Sequence, residues 1–453
     1  MADISISIQS LLKSLTNDSK IGGFVNFLKN YKLKRILFSE TSWYLASNLI
    51  YSASTYMVGL LLPYILNTDF MAFFTAGNQV LLLLSFIFEF GLSISYLRYN
   101  KIDRSTKYVN SVIQLLLFSI LLVTGLFFSS QVNALFNLDQ IPINSEILYL
   151  MVISQLAWLF IKNWLLANGY NKMQVTHSVI VFLLRLTFLG HLYTVKNFTL
   201  TQMFVETLLF PFIPALLHIL FVNLKIVFQG MSLIPVYRWK AVTKFVAKTK
   251  EYLSFSLLTY IAGFLYLYSG RYPYLYLTGK NNVALADIGY SLTFIGIILV
   301  FYTSLRNYLV SRLSKDRLDF IADYVSNLKS LRKYIFLFGA LISLLLTSLI
   351  FLLKPHYLTF NTVIFAFILF SSRIYIFYLG LFTVLSKTMN YNRIEVTMNI
   401  IRLGLIILVT HLLFLSNVIL AFFLINAIDL TVEIIYSNII LRKLNNEKTL
   451  QPV

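Results

Sequence analysis

Three arginines, Arg185, Arg373 and Arg402, each sit about ten residues from the nearest end of a long apolar stretch. An ionised side chain at mid-membrane costs about 2.5–3.5 kcal/mol on insertion scales, so it normally faces a cavity or a partner. The neighbours fall on the same helical faces. Glu395, Asn399 and Arg402 are spaced i, i+4, i+7, and Asn426, Asp429, Glu433 and Ser437 form a second such stripe. Asn78, Ser85, Glu89 and Tyr96 align on another stretch, and Asn48, Ser52, Thr55 and Gly59 on a fourth. A planar guanidinium donates two hydrogen bonds at once to a phosphate, so these arginines predict a cationic cavity for an anionic substrate. Arg271, at the end of its stretch, joins them as a candidate. Arg402 equally suits a structural role, paired with Glu395, Asp429 or Glu433 to lock two helices. Glu89, Asp429, Glu433 and Glu395 are candidates for ion coupling or charge balance.

The elements that must position these residues are transmembrane helices. The chain is 58% hydrophobic and 12% charged, with mean hydropathy +0.76, far from a soluble domain. A bilayer core needs about 20 apolar residues of helix, and barrel strands would instead alternate in segments of about ten. Twelve spans are expected, at 37–62, 71–97, 109–130, 145–167, 174–195 and 201–224, then 251–272, 284–305, 332–353, 361–385, 394–414 and 418–440. Thirty of the 37 Lys and Arg fall in one set of alternate gaps, four in the other, and three within spans. By the positive-inside rule both termini are cytoplasmic. The expected fold is an all-α polytopic membrane protein, with twelve helices in two six-helix lobes at 36–224 and 251–440. A basic connector at 225–250 containing Pro235 joins them, and a tail follows at 441–453. With an even number of helices per lobe, any internal repeat is parallel; Asp69 and Asn282 occupy similar places in the two halves.

Several functions are disfavoured. The net charge of +19 reads as orientation signal and attraction to anionic membrane lipids, not nucleic-acid binding. The absence of cysteine excludes disulfides and thiol chemistry. No P-loop or dinucleotide fingerprint appears. His177, His191, His218 and His411 are scattered among three spans without metal-ligand spacing, so no metal is expected. No cleavable signal is apparent. Within the arm 1–35, Phe24, Phe27, Leu28 and Tyr31 predict a short helix on the inner membrane surface. The run Tyr266, Tyr268, Tyr272, Tyr274 and Tyr276 reads as an interfacial belt, with a saccharide contact as the alternative. Pro63, Pro211 and Pro214 should kink or break their helices. With no domain outside the lipid, transport is favoured over enzymatic activity.

Local motifs carry a resemblance. The first span ends near Pro63 and leads to Leu66-Asn67-Thr68-Asp69-Phe70. The second closes with Phe88-Glu89-Phe90-Gly91-Leu92-Ser93-Ile94-Ser95, and Ala167-Asn168-Gly169-Tyr170-Asn171-Lys172 follows the fourth. These resemble the polysaccharide-repeat-unit exporters, the Wzx-type O-antigen flippases of the multidrug/oligosaccharidyl-lipid/polysaccharide (MOP) superfamily, with Asn67 and Met71 standing where that family has glycines. The resemblance implies a V-shaped inner-membrane protein that moves an undecaprenyl-diphosphate-linked oligosaccharide to the outer leaflet. It also implies a cationic lumen, coupling to H+ or Na+ without a bound cofactor, and work alongside a polysaccharide polymerase and chain-length machinery. The alternatives are an ion-coupled small-molecule exporter of the multidrug (MATE) type, which three central arginines disfavour, and a membrane-embedded polymerase or ligase.

Overall fold

A computed structural model describes residues 41–92, 104–131, 144–195, 197–230, 239–295, 302, 318–388 and 392–449. The arm at 1–35, with its expected surface helix, lies outside the described residues, as do Pro235 and the last residues of the tail.

The helices are α1 (Thr41–Leu61), α2 (Thr68–Glu89), α3 (Arg104–Phe127), α4 (Ser145–Asn168), α5 (Asn171–Val195), α6 (Leu200–Phe204) and α7 (Ile213–Gly230). Then come α8 (Trp239–Leu277), α9 (Asn282–Ile295), α10 (Leu318–Leu353), α11 (Asn361–Thr388), α12 (Asn392–Leu413) and α13 (Val418–Thr449). Nine spans among the described residues are long and apolar enough to cross a membrane, against the twelve expected. The other three expected spans coincide with α1, α8 and α9. Helix α1 is diluted by Ser47, Asn48, Ser52, Ser54 and Thr55, α8 by lysines and tyrosines, and α9 is described only as far as Ile295. The protein is a multi-pass membrane protein.

Helix boundaries follow local chemistry. Asn67 caps α2, its Oδ1 accepting from Phe70 N at 2.8 Å, and Asn144, Thr199, Asn281 and Asn417 accept in the same way at the starts of α4, α6, α9 and α13. Gly169 stops α4 at φ +78°, where a Cβ would be strained. Tyr170 N then donates to Leu165 O at 2.9 Å. Three helices run past the expected spans: α8 begins at Trp239, α10 at Leu318, and α13 continues to Thr449. At 1.5 Å per residue, α8 is about 58 Å long, far more than a bilayer core. The basic stretch 239–250 is thus a helical extension of α8, and 225–230 continues α7.

Packing groups α1 with α5, and α3 with α4 and α7; elsewhere α8 packs on α12, and α11 on α10 and α13. The two groups meet where α2 runs along α8 and where α9 lies against α1 and α2. At one end of the bundle the turns interlock. Asn282 Nδ2 donates to Asp69 Oδ1 at 2.9 Å, Tyr357 OH to Pro63 O at 2.9 Å, and both Tyr64 and Tyr290 donate to Leu353 O. Asp69 and Asn282, the pair in similar places in the two halves, are therefore partners. Asp287 holds the start of α11 from α9, accepting from Thr359 N at 2.9 Å and Thr362 Oγ1 at 2.7 Å. On the outside, Phe336, Leu337, Leu344, Leu345 and Leu352 of α10 are exposed. Leaving such side chains in water forfeits about 2 kcal/mol each, so this face belongs in lipid.

Close approach at the seam depends on glycine. A Cβ on Gly289 would overlap Thr75, and one on Gly59 would overlap Thr293. Both neighbours are β-branched and stiff. Gly289→Ala is expected to destabilise by about 1–3 kcal/mol through overpacking, seen as a lower thermal unfolding midpoint in detergent. Gly404→Ala, with open space around its Cβ, should match or exceed wild type.

Candidate functional site

The stripes on α12 and α13 converge as helical spacing requires. Asp429 and Glu433, one turn apart on α13, face Arg402 of α12 and Arg373 of α11. Arg402 Nη2 lies 2.7 Å from Glu433 Oε2, and Arg373 Nη2 lies 2.8 Å from Asp429 Oδ2. Arg402 Nε stands 3.4 Å from Asp429 Oδ1, an ion-pair distance without hydrogen-bond geometry. Arg402 is almost fully buried; its Nη1 donates to Asn399 Oδ1 at 2.9 Å and its guanidinium covers the Tyr266 ring at 4.7 Å. Asn399 Nδ2 donates to Ala262 O of α8 at 2.9 Å, and Thr383 Oγ1 to Glu433 Oε1 at 3.2 Å.

Arg271 of α8 completes the cluster. Its Nη1 donates to Gln79 Oε1 of α2 across the seam. It lies within Coulombic reach of Arg373, and both reach Tyr274. Among the described residues Arg271 has no carboxylate partner. Among the described residues the cluster therefore holds three guanidiniums and two carboxylates, with one positive charge unbalanced.

Arg185 is elsewhere, buried between α1, α5 and the α6–α7 junction. Its Nη1 donates to Thr55 Oγ1 at 2.8 Å and Ser54 Oγ at 3.0 Å, and its Nε to Thr207 O at 3.4 Å. It lies against the rings of Tyr51 and Phe212 at 5.4 and 5.0 Å. Residue 211 is proline and offers no N–H to Thr207 O, so the guanidinium supplies the missing donor. The sequence-predicted arginines thus divide: Arg271, Arg373 and Arg402 come together, and Arg185 stands apart holding a broken helix.

Of the carboxylate candidates, Asp429 and Glu433 lie in the cluster. Glu89 and Glu395 are buried near the other end of their helices, Glu395 seven residues, or about 10 Å of helix rise, from Arg402. Arg402 pairs with Glu433 and Asp429.

Pairings across the chain escaped sequence reasoning. His177 Nε2 and His218 Nδ1 are 2.7 Å apart with stacked rings. His191 Nδ1 lies 2.9 Å from Glu206 Oε2. These histidines are partnered, although their spacing in the chain shows nothing. Among the described residues no group of three or more His, Cys, Asp or Glu is placed to hold a metal ion. The one available signal was Glu206 itself, a carboxylate inside an apolar span with Gln202 one turn before it. Tyr260, Phe264, Tyr268, Tyr272 and Tyr276 form a ladder on α8 with neighbouring ring centroids 5.6–6.3 Å apart. It runs about 24 Å, from Phe86 of α2 and Phe90 just past its end to His411 of α12.

The sequence matches no known family profile and no curated protein. Solved structures do match. A point mutant of the Vibrio cholerae MATE transporter VcmN aligns with TM-score 0.57 at 13% identity, covering 91% of this chain and 98% of that one. The lipid II flippase MurJ, in an inward closed conformation, gives 0.56 at 15%, covering 90% and 87%. A MOP superfamily transporter from Pyrococcus furiosus, described by the reverse polarity of its binding pocket, gives 0.53 at 12%, covering 90% and 95%. The fold is the one these solved transporters share. At this identity the likeness concerns architecture, and the residues of the site are this chain's own.

The two kinds of arginine should separate in stability. Arg402→Ala strands the buried Glu433 carboxylate, leaving Asp429 to Arg373 alone, and is expected to cost about 3–5 kcal/mol. Arg271→Ala strands none and relieves repulsion from Arg373 while losing the bond to Gln79, so it should cost no more than about 1 kcal/mol. Thermal unfolding of the purified variants in detergent measures both.

Proposed function

We propose that the protein is a flippase that moves an undecaprenyl-diphosphate-linked oligosaccharide from the cytoplasmic to the outer leaflet of a bacterial inner membrane, for surface polysaccharide synthesis. The observation that carries this reading is the unbalanced guanidinium charge of the Arg271–Arg373–Arg402 cluster at the seam between the two helix groups, where Arg402 is buried and Arg271 and Arg373 are half-buried. A diphosphate would supply the missing negative charge, and Arg271 is the member whose fork is least committed. The head group would enter while the cluster is open to the cytoplasm, and rocking of one helix group against the other would expose it outside. The polyprenyl tail would remain in lipid. The basic gaps support an orientation with both termini cytoplasmic and the interlocked turns of Pro63, Asp69, Asn282 and Tyr357 on the outer side. A polysaccharide polymerase and chain-length machinery would be the downstream partners.

The fold supports a second reading, an ion-coupled small-molecule exporter, because VcmN and MurJ resemble the chain to the same degree. The sign of the cluster favours an anionic substrate over a cationic one.

The test uses cells lacking the gene, given back wild type or Arg271→Ala, with the leaflet of the lipid-linked oligosaccharide read by an impermeant sugar-modifying enzyme. Repeat units should be trapped on the inner leaflet without the protein and rescued by wild type. Loss of one charged fork, about 1.5–3 kcal/mol, should lower outer-leaflet delivery by Arg271→Ala by about ten- to a hundredfold. Units that reach the outer leaflet without the protein would overturn the reading.

A further inference from the structure

Between α6 and α7 the membrane helix is broken twice: a π-helical turn at Val205–Leu209 and a 3₁₀ turn at Phe210–Phe212 containing Pro211. Turns of π type inside helices frequently mark functional positions. Glu206 sits within this turn, buried, about 9 Å along the helix from Leu200. Its carboxylate accepts from Gln202 Nε2 at 2.9 Å and pairs with His191 Nδ1, at 2.9 Å from one oxygen and 3.1 Å from the other. The His191 side chain is half exposed, one turn from the end of α5. Phe198 in the following turn contacts Phe70, which places this end of α5 with the interlocked turns.

The partner distinguishes this carboxylate. Asp429 and Glu433 face guanidiniums, which keep their charge at any physiological pH. Asp287 is held by a backbone N–H and two hydroxyls. Glu206 faces an imidazole, the side chain whose charge ordinarily changes between about pH 5 and 8. Other groups near the turn do not compete for it. From α5, Arg185 reaches Thr207 O. Helix α4 brings Tyr149, whose hydroxyl is buried without a hydrogen-bond partner, and the exposed Glu146 in its first turn. Helix α2, which meets α6, brings Asp69, bound to Asn282. Among the described residues only His191 and Gln202 hydrogen-bond to the Glu206 carboxylate.

We propose that Glu206 and His191 form a proton-binding site, with half-exposed His191 as its entry and the π turn as the element that responds. The pair deprotonated is imidazole beside carboxylate, with charge −1. One proton converts it to imidazolium beside carboxylate, with charge 0. The change falls one residue from Thr207, whose carbonyl ties the broken helix to Arg185. This deepens the transport reading by placing ion coupling away from the arginine cluster, and it does not depend on which substrate is carried.

The experiment applies pH jumps from 8 to 6 to proteoliposomes adsorbed on a sensor and records the charge displaced, with no substrate present. Wild type should give a transient that His191→Gln, which removes the group that takes the proton, reduces at least tenfold. Glu206→Gln, which removes only the counter-charge, should keep a transient whose half-maximal pH is lowered by one unit or more, a shift that a packing role would not produce. Chromatographic profile and unfolding midpoint establish folding, and if Glu206→Gln fails to fold the His191→Gln loss decides. A wild-type-sized transient in folded His191→Gln, or an unmoved midpoint in folded Glu206→Gln, overturns the proposal. Because the substrate is absent, a failure to flip lipid-linked sugar in cells alongside an intact pH response would sink only the substrate reading.

Discussion

A guanidinium carried into a bilayer has to be matched locally, because the medium around it neither screens nor solvates it. At an effective dielectric constant near 20, two charges 4 Å apart interact by about 4 kcal/mol, comparable to the insertion cost of one such residue. That balance organises the half of the molecule built on α8, α11, α12 and α13. Arg402 reaches Glu433 and Asp429, Arg373 shares Asp429, and the polar stripes of α12 and α13 face each other because their charged members have no other place to go. The same matching fails at Arg271, which has an amide for a partner and a second arginine within reach. A residual charge half-buried at the seam between two helix groups is the condition under which an incoming anion can both reach the charge and gain from binding it.

The other half answers a different version of the same constraint. Pro211 breaks the membrane helix after α6, and the carbonyl of Thr207 would be left without a donor where water is scarce. Arg185 fills that place and is held by two hydroxyls of α1 and by ring faces. Its charge thus serves backbone satisfaction and helix packing, joining α1 to α5 and to the broken helix. Two arginines with the same sequence context, both ten residues deep in apolar stretches, carry different burdens because one neighbouring helix contains a proline and the other set contains carboxylates.

What was legible in the sequence follows from what is local. Hydropathy located the elements, and the i, i+4 and i, i+7 spacings identified the faces of α12 and α13 that meet. Asp69 and Asn282, noted for their similar places in the two halves, also bond to each other across 213 residues of chain, which likeness of place did not predict. Properties that depend on two distant segments were not legible. Nothing in the chain joins Arg271 to Gln79, His177 to His218, or His191 to Glu206, since each pairing is fixed by how helices pack and not by spacing along one of them. The extensions of α8, α10 and α13 were also hidden. Their basic residues mark a side of the membrane, and a hydropathy boundary cannot tell a charged helix from a charged loop.

The sign of the site bears on mechanism as well as substrate. A carrier that trades a proton for a cation can use one carboxylate for both, each displacing the other. A carrier with a net positive cluster has no such competition, because an anion and a proton seek groups of opposite charge. Coupling then needs a separate acid whose state is transmitted through the fold, and the carboxylates already bound to guanidiniums are the worst placed for it, since protonating either one would remove a counter-charge from arginines that already outnumber them. A carboxylate beside an imidazole at a break in a membrane helix has neither drawback. The division between a cluster that holds charge constant and a turn that lets charge change is therefore what an anion carrier driven by protons would require of this fold.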